Sequence, residues 1–203
     1  MDRLAHARSI LQVAETRTGV RPPDEEGRVP AALRGRLPRG VPAGGVVHVS
    51  GSRTIVWSLA ATLMGSRGWC VVIGLRDVGW YAAKQAGLDL ARVLYLPTGA
   101  TPPVLAAAID GADVLIVGSA RSLGAGDQRA VAGRLRNRGT RLITTIPWPG
   151  ATQITASVVH AHGCDDGAGY LTERVIHARS QGRSVRLAAG DELTAYRPLA
   201  VVS

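Results

Sequence analysis

The chain contains no phenylalanine, and aromatic residues make up only 4% of it. That scarcity leaves little from which to build a stacking platform for single-stranded bases, so any nucleic-acid contact is expected to run through phosphates. Two cysteines, Cys70 in WCVVIGL and Cys164 in HAHGCDDGAG, are too few for a disulfide framework or a cysteine zinc site. No apolar run is long enough to span a bilayer, and the opening stretch MDRLAHARSILQVAETRTG lacks the continuous apolar block of a signal peptide. A cytoplasmic location is therefore expected. Lysine is nearly absent as well. Lys84 stands alone against 23 arginines, and the formal charge is +9. Such a surface favours anionic partners, nucleic acid or an acidic protein segment, and says nothing about fold.

With 203 residues and 46% hydrophobic content, the chain can bury one core of ordinary size without staples. Leu4, Ala7, Ile10, Leu11 and Ala14 fall on one face of a helix over residues 1–15, which predicts an amphipathic segment seeking a surface. Its own domain, another copy and a different protein all fit, with Leu4, Ile10 and Leu11 as the contact residues. Residues 16–45 are rich in Pro, Gly and Arg and read as a linker, with at most a short helical turn at Ala31 to Leu33. The core is expected over 46–203. There, apolar runs of strand length alternate with helical stretches: VVHV, WCVVIGL, VLYLP, DVLIVG and RLITTIP. This order predicts an α/β fold, a mostly parallel sheet flanked by helices on both faces. Thr101 and Pro102 suit a helix start, and Gly139 a helix stop. After PWPG the rhythm changes, and ITASVVHA, YLTERVIHA and RSVRLAA alternate with no helix between them, predicting an antiparallel C-terminal edge.

The stretch VVHVSGSRTIVWSLAATLMG, residues 46–65, has the strand, glycine turn and helix of a phosphate-binding loop. The form GxxxxGK[ST] works because its glycines let backbone N–H groups surround the phosphates, its lysine reaches the outer ones and its hydroxyl holds Mg²⁺. Counted from Gly51, the second glycine, lysine and serine fall on Val56, Trp57 and Ser58. Aligned instead at its end, Gly51, Ser52, Arg53 and Thr54 keep only the hydroxyl, and the turn is several residues too short. Arginine is a broad planar fork, not a compact point charge. The strand-end acid that would organise Mg²⁺ and water is missing too, because Gly118 stands there. Asp113 lies five residues back, roughly 16 Å at strand rise. Asp77, which follows Arg76, reads as a turn or cap residue. No nucleotide, other cofactor or catalytic residue is expected.

The collinear order of LPRGVPAGGVVHVSG, GWYAAKQAGLDLARVLYLP and ADVLIVGSARSL resembles the RecA core from about Leu33 to Leu187. The segments that become DNA-binding loops in RecA are shortened here to Ser122 to Asp127 and Pro147 to Gln153. A compact RecA-like chain with these losses resembles the bacterial ImuA family and its shortened ImuA′ relatives. The resemblance implies a damage-induced accessory protein of a mutagenic translesion complex. Such a protein binds an ImuB-like inactive Y-family polymerase subunit, which recruits an error-prone replicative-type polymerase. The same family is related to SulA-type cell division inhibitors, and a weak ATP-binding switch using Thr54 is a further alternative.

Other signals remain. Arg129, Arg134, Arg136, Arg138 and Arg141 decorate the helix GDQRAVAGRLRNRGTR, either as a DNA or acidic-partner patch or as a solvated face. His160, His162 and Cys164 alternate as metal ligands on a strand would, but a fourth ligand is missing and no metal site is expected. Trp148, between two prolines, fits either a partly exposed interface anchor or simple packing of its turn. Trp57 either fills vacated nucleotide space or is ordinary core, while His48 reads as a hydrogen-bonded structural residue and His177 as lying on the alternating face of a hairpin strand.

Overall fold

The computed structural model describes residues 28–34, 40–121, 123–165, 168–190 and 193–196. Leu4, Ile10 and Leu11, with the helix expected around them, and Ser122 lie outside the described residues. One sheet of nine strands runs through the molecule in the order β3-β2-β4-β5-β1-β6-β7-β8-β9. These are β1 (Val46–Ser50), β2 (Cys70–Ile73), β3 (Val93–Leu96), β4 (Val114–Val117), β5 (Arg141–Thr144), β6 (Thr152–Asp165), β7 (Ala168–Ser180), β8 (Arg183–Ala189) and β9 (Leu193–Ala195). The first six in spatial order pair in parallel. From β6 to β9 every pairing is antiparallel.

The central strands β2, β4 and β5 are buried at every position, as unbroken apolar runs between two layers must be. Four helices supply those layers: α1 (Arg53–Met64), α2 (Trp80–Gln85), α3 (Pro102–Gly111) and α4 (Ala125–Arg138). One apolar cluster joins Ile55, Trp57 and Leu59 of α1 to Val72, Ile116 and Ile143 of the sheet. A second joins Leu105 and Ile109 of α3 and Leu135 of α4 to Val71, Leu115 and Leu142. Adjacent strand residues thus divide between the clusters, which places helices on both faces. Thr101 sits at the N-cap of α3 with Pro102 behind it, and Gly139 closes α4 at φ 74°. Cys70 lies in the core, where burial pushes its thiol up to about 12 and leaves it protonated and inert.

Two expectations are corrected. Part of the segment read as a linker belongs to the core: Val29, Leu33 and Val41 are buried in the α1-side cluster, and Arg28 bridges Val41. Its Pro and Gly content shapes turns over the core, the three-residue helical turn at Ala31–Leu33 among them. Arg141 is not displayed on the α4 surface. It opens β5, is buried, and donates from Nε to the Val41 carbonyl at 3.1 Å. The short β9 went unanticipated, because three residues are too few to show a period. Among the described residues, no helix is long and apolar enough to cross a membrane.

Candidate functional site

Ligand crevices of open parallel sheets lie beyond the carboxyl ends of the strands. Here that space is occupied by protein. Strand β1 ends at Ser50 and α1 begins at Arg53, so the turn between them is Gly51 and Ser52 alone. Gly51 has φ +81°, and a Cβ added to it would lie 1.8 Å from the Ala156 carbonyl oxygen. The β6 backbone is thus seated directly against the turn. The Ser52 hydroxyl accepts the Ile55 N–H at 3.3 Å as the cap of α1. The Thr54 hydroxyl accepts from Arg174 Nη2 at 3.2 Å. Arg53 itself is exposed.

Trp57, at the position a motif lysine would occupy, is 1% exposed within the core. Its ring centroid stands 6.3 Å from that of Trp80, which meets Tyr95 edge-on at 5.2 Å. The Tyr95 hydroxyl donates to the Leu75 carbonyl at 3.0 Å, tying the turn after β2 to β3. Gly118 follows β4, and a side chain there would meet Leu75 Cα at 2.5 Å and the Gly74 carbonyl at 2.8 Å. The strand-end slot is therefore filled by neighbouring backbone. Asp113, at the other end of β4, accepts the Trp69 N–H at 2.9 Å. Asp77 is exposed in the turn after β2 with φ 53°.

The α4 arginines divide. Arg134 donates to both carboxylate oxygens of Asp110 on α3, and Arg138 Nε reaches Asp110 Oδ1 at 3.0 Å. Arg129 Nε donates back to the Ala125 carbonyl at 3.1 Å, and Arg136 is exposed. Half of the candidate anion patch is thus engaged in clamping α3 to α4. The Arg134 hydrogen bond, then the Arg134 and Arg138 charges, hold the Asp110 carboxyl below its ordinary 3.8. A lowered folded-state pKa contributes stability that is present above the ordinary carboxylate value and lost as pH falls through the folded value. Asp110→Asn should therefore lower stability by a constant amount above the ordinary carboxylate range, the difference shrinking as pH falls below 3.8. Urea midpoints of the two proteins across that range check it.

Trp148 is corrected. It is 3% exposed and packed in the α3–α4 cluster, so the isolated chain does not present it as an interface anchor. Its turn folds inward because Thr144 bonds Ile146 through both carbonyl and N–H, and the Ala151 N–H returns to the Trp148 carbonyl. His48 pairs with Gln153 across β1 and β6 through Nδ1, as a structural histidine does. The rings of His160 and His162 meet edge-on at 4.3 Å, with Glu173 Oε1 4.0 Å from His162 Nε2. No group of three potential ligands gathers among the described residues.

The feature that sequence reasoning missed is an arm. Strand β6 last pairs with β1 at Ser50 and Thr155, and β8 reaches β7 only as far as Arg174 and Ala189. Strand β6 continues about 30 Å past the carboxyl end of β1, and from His162 and Glu173 onward it and β7 form a two-stranded ribbon about 13 Å long. Tyr170 and Leu171 are exposed on this ribbon, Tyr170 at 89%, and Val158 and Val159 are exposed on β6 below it. At its foot lies a cleft of about 380 Å³ between Gln85 of α2 and Leu171 to Arg174 of β7. The adjacent valines Val158 and Val159 break the alternation of β6 and coincide with a register shift between Val158 and His160, and a second shift between His162 and Cys164 falls at Gly163.

Comparison with known proteins places this geometry in a family. The model of the family described as MT3502 N-terminal domain matches residues 35–150. The chain is also 36% identical over 126 residues to an uncharacterized protein of Mycobacterium tuberculosis, Rv3395c. That alignment covers 60% of this chain and 62% of the relative, so the chain spans less than two thirds of the relative's length.

Proposed function

The chain belongs to the MT3502 N-terminal domain family, and on that premise we propose that it is a non-catalytic, RecA-like adaptor of the ImuA and ImuA′ type. In this reading it acts in the cytoplasm during damage-induced mutagenesis, bringing translesion polymerase components together. Its direct partner is an ImuB-like inactive Y-family polymerase subunit, and an error-prone replicative-type polymerase is reached through that subunit.

One observation carries the proposal: the turn of Gly51 and Ser52 is only two residues long and lies against the Ala156 carbonyl. Two residues cannot supply the run of N–H groups that surrounds a triphosphate. Support comes also from the strand order, six parallel strands continued by an antiparallel edge, which agrees with the collinear resemblance to the RecA core. A fold of that kind without a nucleotide keeps a rigid scaffold, a requirement of a recruiting surface. The weak ATP switch is disfavoured because the Thr54 hydroxyl is already bonded by Arg174. The SulA-like reading has no site of its own here and is tested by overexpression, where filamentous growth would favour it.

The proposal is tested by mixing purified chain with an ImuB-like subunit and measuring complex formation by sedimentation velocity. A stable one-to-one complex is expected. Two species that sediment independently at micromolar concentration contradict it.

A further inference from the structure

The helices leave half of one sheet face bare. Ile154 and Ala156 of β6, Ile176 and Ala178 of β7, and Leu187 and Ala189 of β8 belong to the α1-side cluster. Their neighbours along each strand therefore point to the opposite face, the one that α3 and α4 cover over β2, β4 and β5. The cluster beneath α3 and α4 takes in no residue of β6, β7, β8 or β9 among the described residues, so beyond β1 this face has no helix over it.

Strand register sets its side chains in rows. Thr155, Arg179 and Ser184 lie side by side, and Ser157, His177 and Arg186 form the next row toward the arm. All are exposed except the half-buried His177. Arg179 and Arg186 stand diagonally on neighbouring strands, with Cα atoms about 8 Å apart. Neither is paired with a carboxylate among the described residues. Among the described side chains of β6 to β9, Glu173 is the one carboxylate, and it stands beyond these rows, opposite His162 at the base of the ribbon. Helix α4 adds a flank. Arg129 and Arg136, about two turns apart on one side of the helix, are turned roughly 180° away from Arg134 and Arg138, which hold Asp110 of α3. A Cβ on Gly44, just ahead of β1, would lie 2.5 Å from Arg136 Cα. That exposed flank thus borders the bare face where β1 gives way to β6.

We infer that this bare face, with the outer flank of α4, is a docking surface for duplex nucleic acid, held by its phosphates without regard to sequence, with Arg179 and Arg186 as the central contacts. Arginines set among serine and threonine hydroxyls are the side chains that contact a phosphodiester backbone, and they need reach no base. An acidic protein segment would call for an apolar pocket at the centre of the contact, whereas Val175 and Ala188, the apolar pair of the following row, are buried. No tryptophan, tyrosine or phenylalanine stands in the two rows for an unpaired base to stack on, which selects duplex over single strand. The strands of this surface lie past residues 35–150, which the family model matches. The inference does not rest on the adaptor reading.

Fluorescence anisotropy of the 203-residue chain on labelled DNA and RNA duplexes of about 30 bp tests it. A Kd of about 1–100 µM is expected near physiological salt, the tighter duplex identifying the natural source. With four arginines on phosphates, log K should fall against log salt with a slope of about −3.6. Arg179→Glu with Arg186→Glu should weaken binding at least about tenfold, and Arg179→Gln with Arg186→Gln should halve the slope to about −1.8. Arg53→Glu with Arg76→Glu makes the same change of charge at exposed positions past the carboxyl ends of β1 and β2, and should leave the affinity within about threefold. Arg179→Lys with Arg186→Lys should bind as the wild type does, and equal melting temperatures show that each variant folds. No binding to either duplex at about 100 µM would overturn the inference, as would a loss no greater at Arg179 and Arg186 than at Arg53 and Arg76. Tighter binding to single-stranded DNA or to polyglutamate of matched length would overturn it too.

Discussion

Trp57→Lys, the change that restores the missing motif lysine, is expected to remove about 4 kcal/mol or more of stability and to confer no nucleotide binding. Trp57 is 1% exposed, beside Ile55 and Leu59 in the apolar cluster and within ring contact of Trp80. Removing the indole leaves a cavity worth about 3–5 kcal/mol in comparable cores, and the ammonium would be buried in an apolar cluster. Against a typical total of about 5–15 kcal/mol, such a loss leaves little folded protein. Trp57→Phe, which keeps most of the volume, should cost only about 1–2 kcal/mol. Urea unfolding followed by circular dichroism separates the two. A stable Trp57→Lys protein that binds ATP would show that α1 is one rotation away from a working nucleotide site.

Gly51→Ala should lower the melting temperature by about 10 °C, from a loss of roughly 3–4 kcal/mol. Two causes add. A residue at φ +81° with a Cβ carries a left-handed penalty of about 1–2 kcal/mol, and that Cβ would stand 1.8 Å from the Ala156 oxygen. The second cause forces β6 away from the turn and strains the pairing of Ser50 with Thr155. Gly150→Ala isolates the first cause, because Gly150 has φ +72° and open space around it. It should cost only about 1 kcal/mol. Equal effects at Gly51 and Gly150 would mean that β6 does not press on the turn.

What could be read from the residues follows the strength of local signals. The unbroken runs at β2 and β4, the Thr101–Pro102 start and the Gly139 stop are short-range features, and the structure places each where it was expected. The two-residue turn was legible for the same reason, as was Gly118 at the end of β4. Long-range packing was not. Whether Trp148 points out or in depends on how the PWPG turn meets α3 and α4, and neither proline restricts that choice. Val29 and Val41 lie in a Pro-rich and Gly-rich stretch whose composition hides its burial. Arg174 had no motif to mark it, and its bond to Thr54 joins residues 120 positions apart. The arm was hidden because, apart from the Val158–Val159 pair, its strands read as an ordinary hairpin, and only the lengths of β1 and β8 show where neighbours stop. The arginines of α4 were visible as a row, but the sequence did not reveal that Asp110 engages two of them.

Calorimetric titration of the 203-residue chain with ATP and Mg²⁺ probes most directly the idea that this scaffold holds macromolecules in place of a nucleotide. The structure predicts no saturable heat up to about 1 mM ligand, a limit corresponding to roughly −4 kcal/mol of binding free energy. A saturable one-to-one isotherm, lost in a Gly51 or Thr54 variant that remains folded, would contradict it.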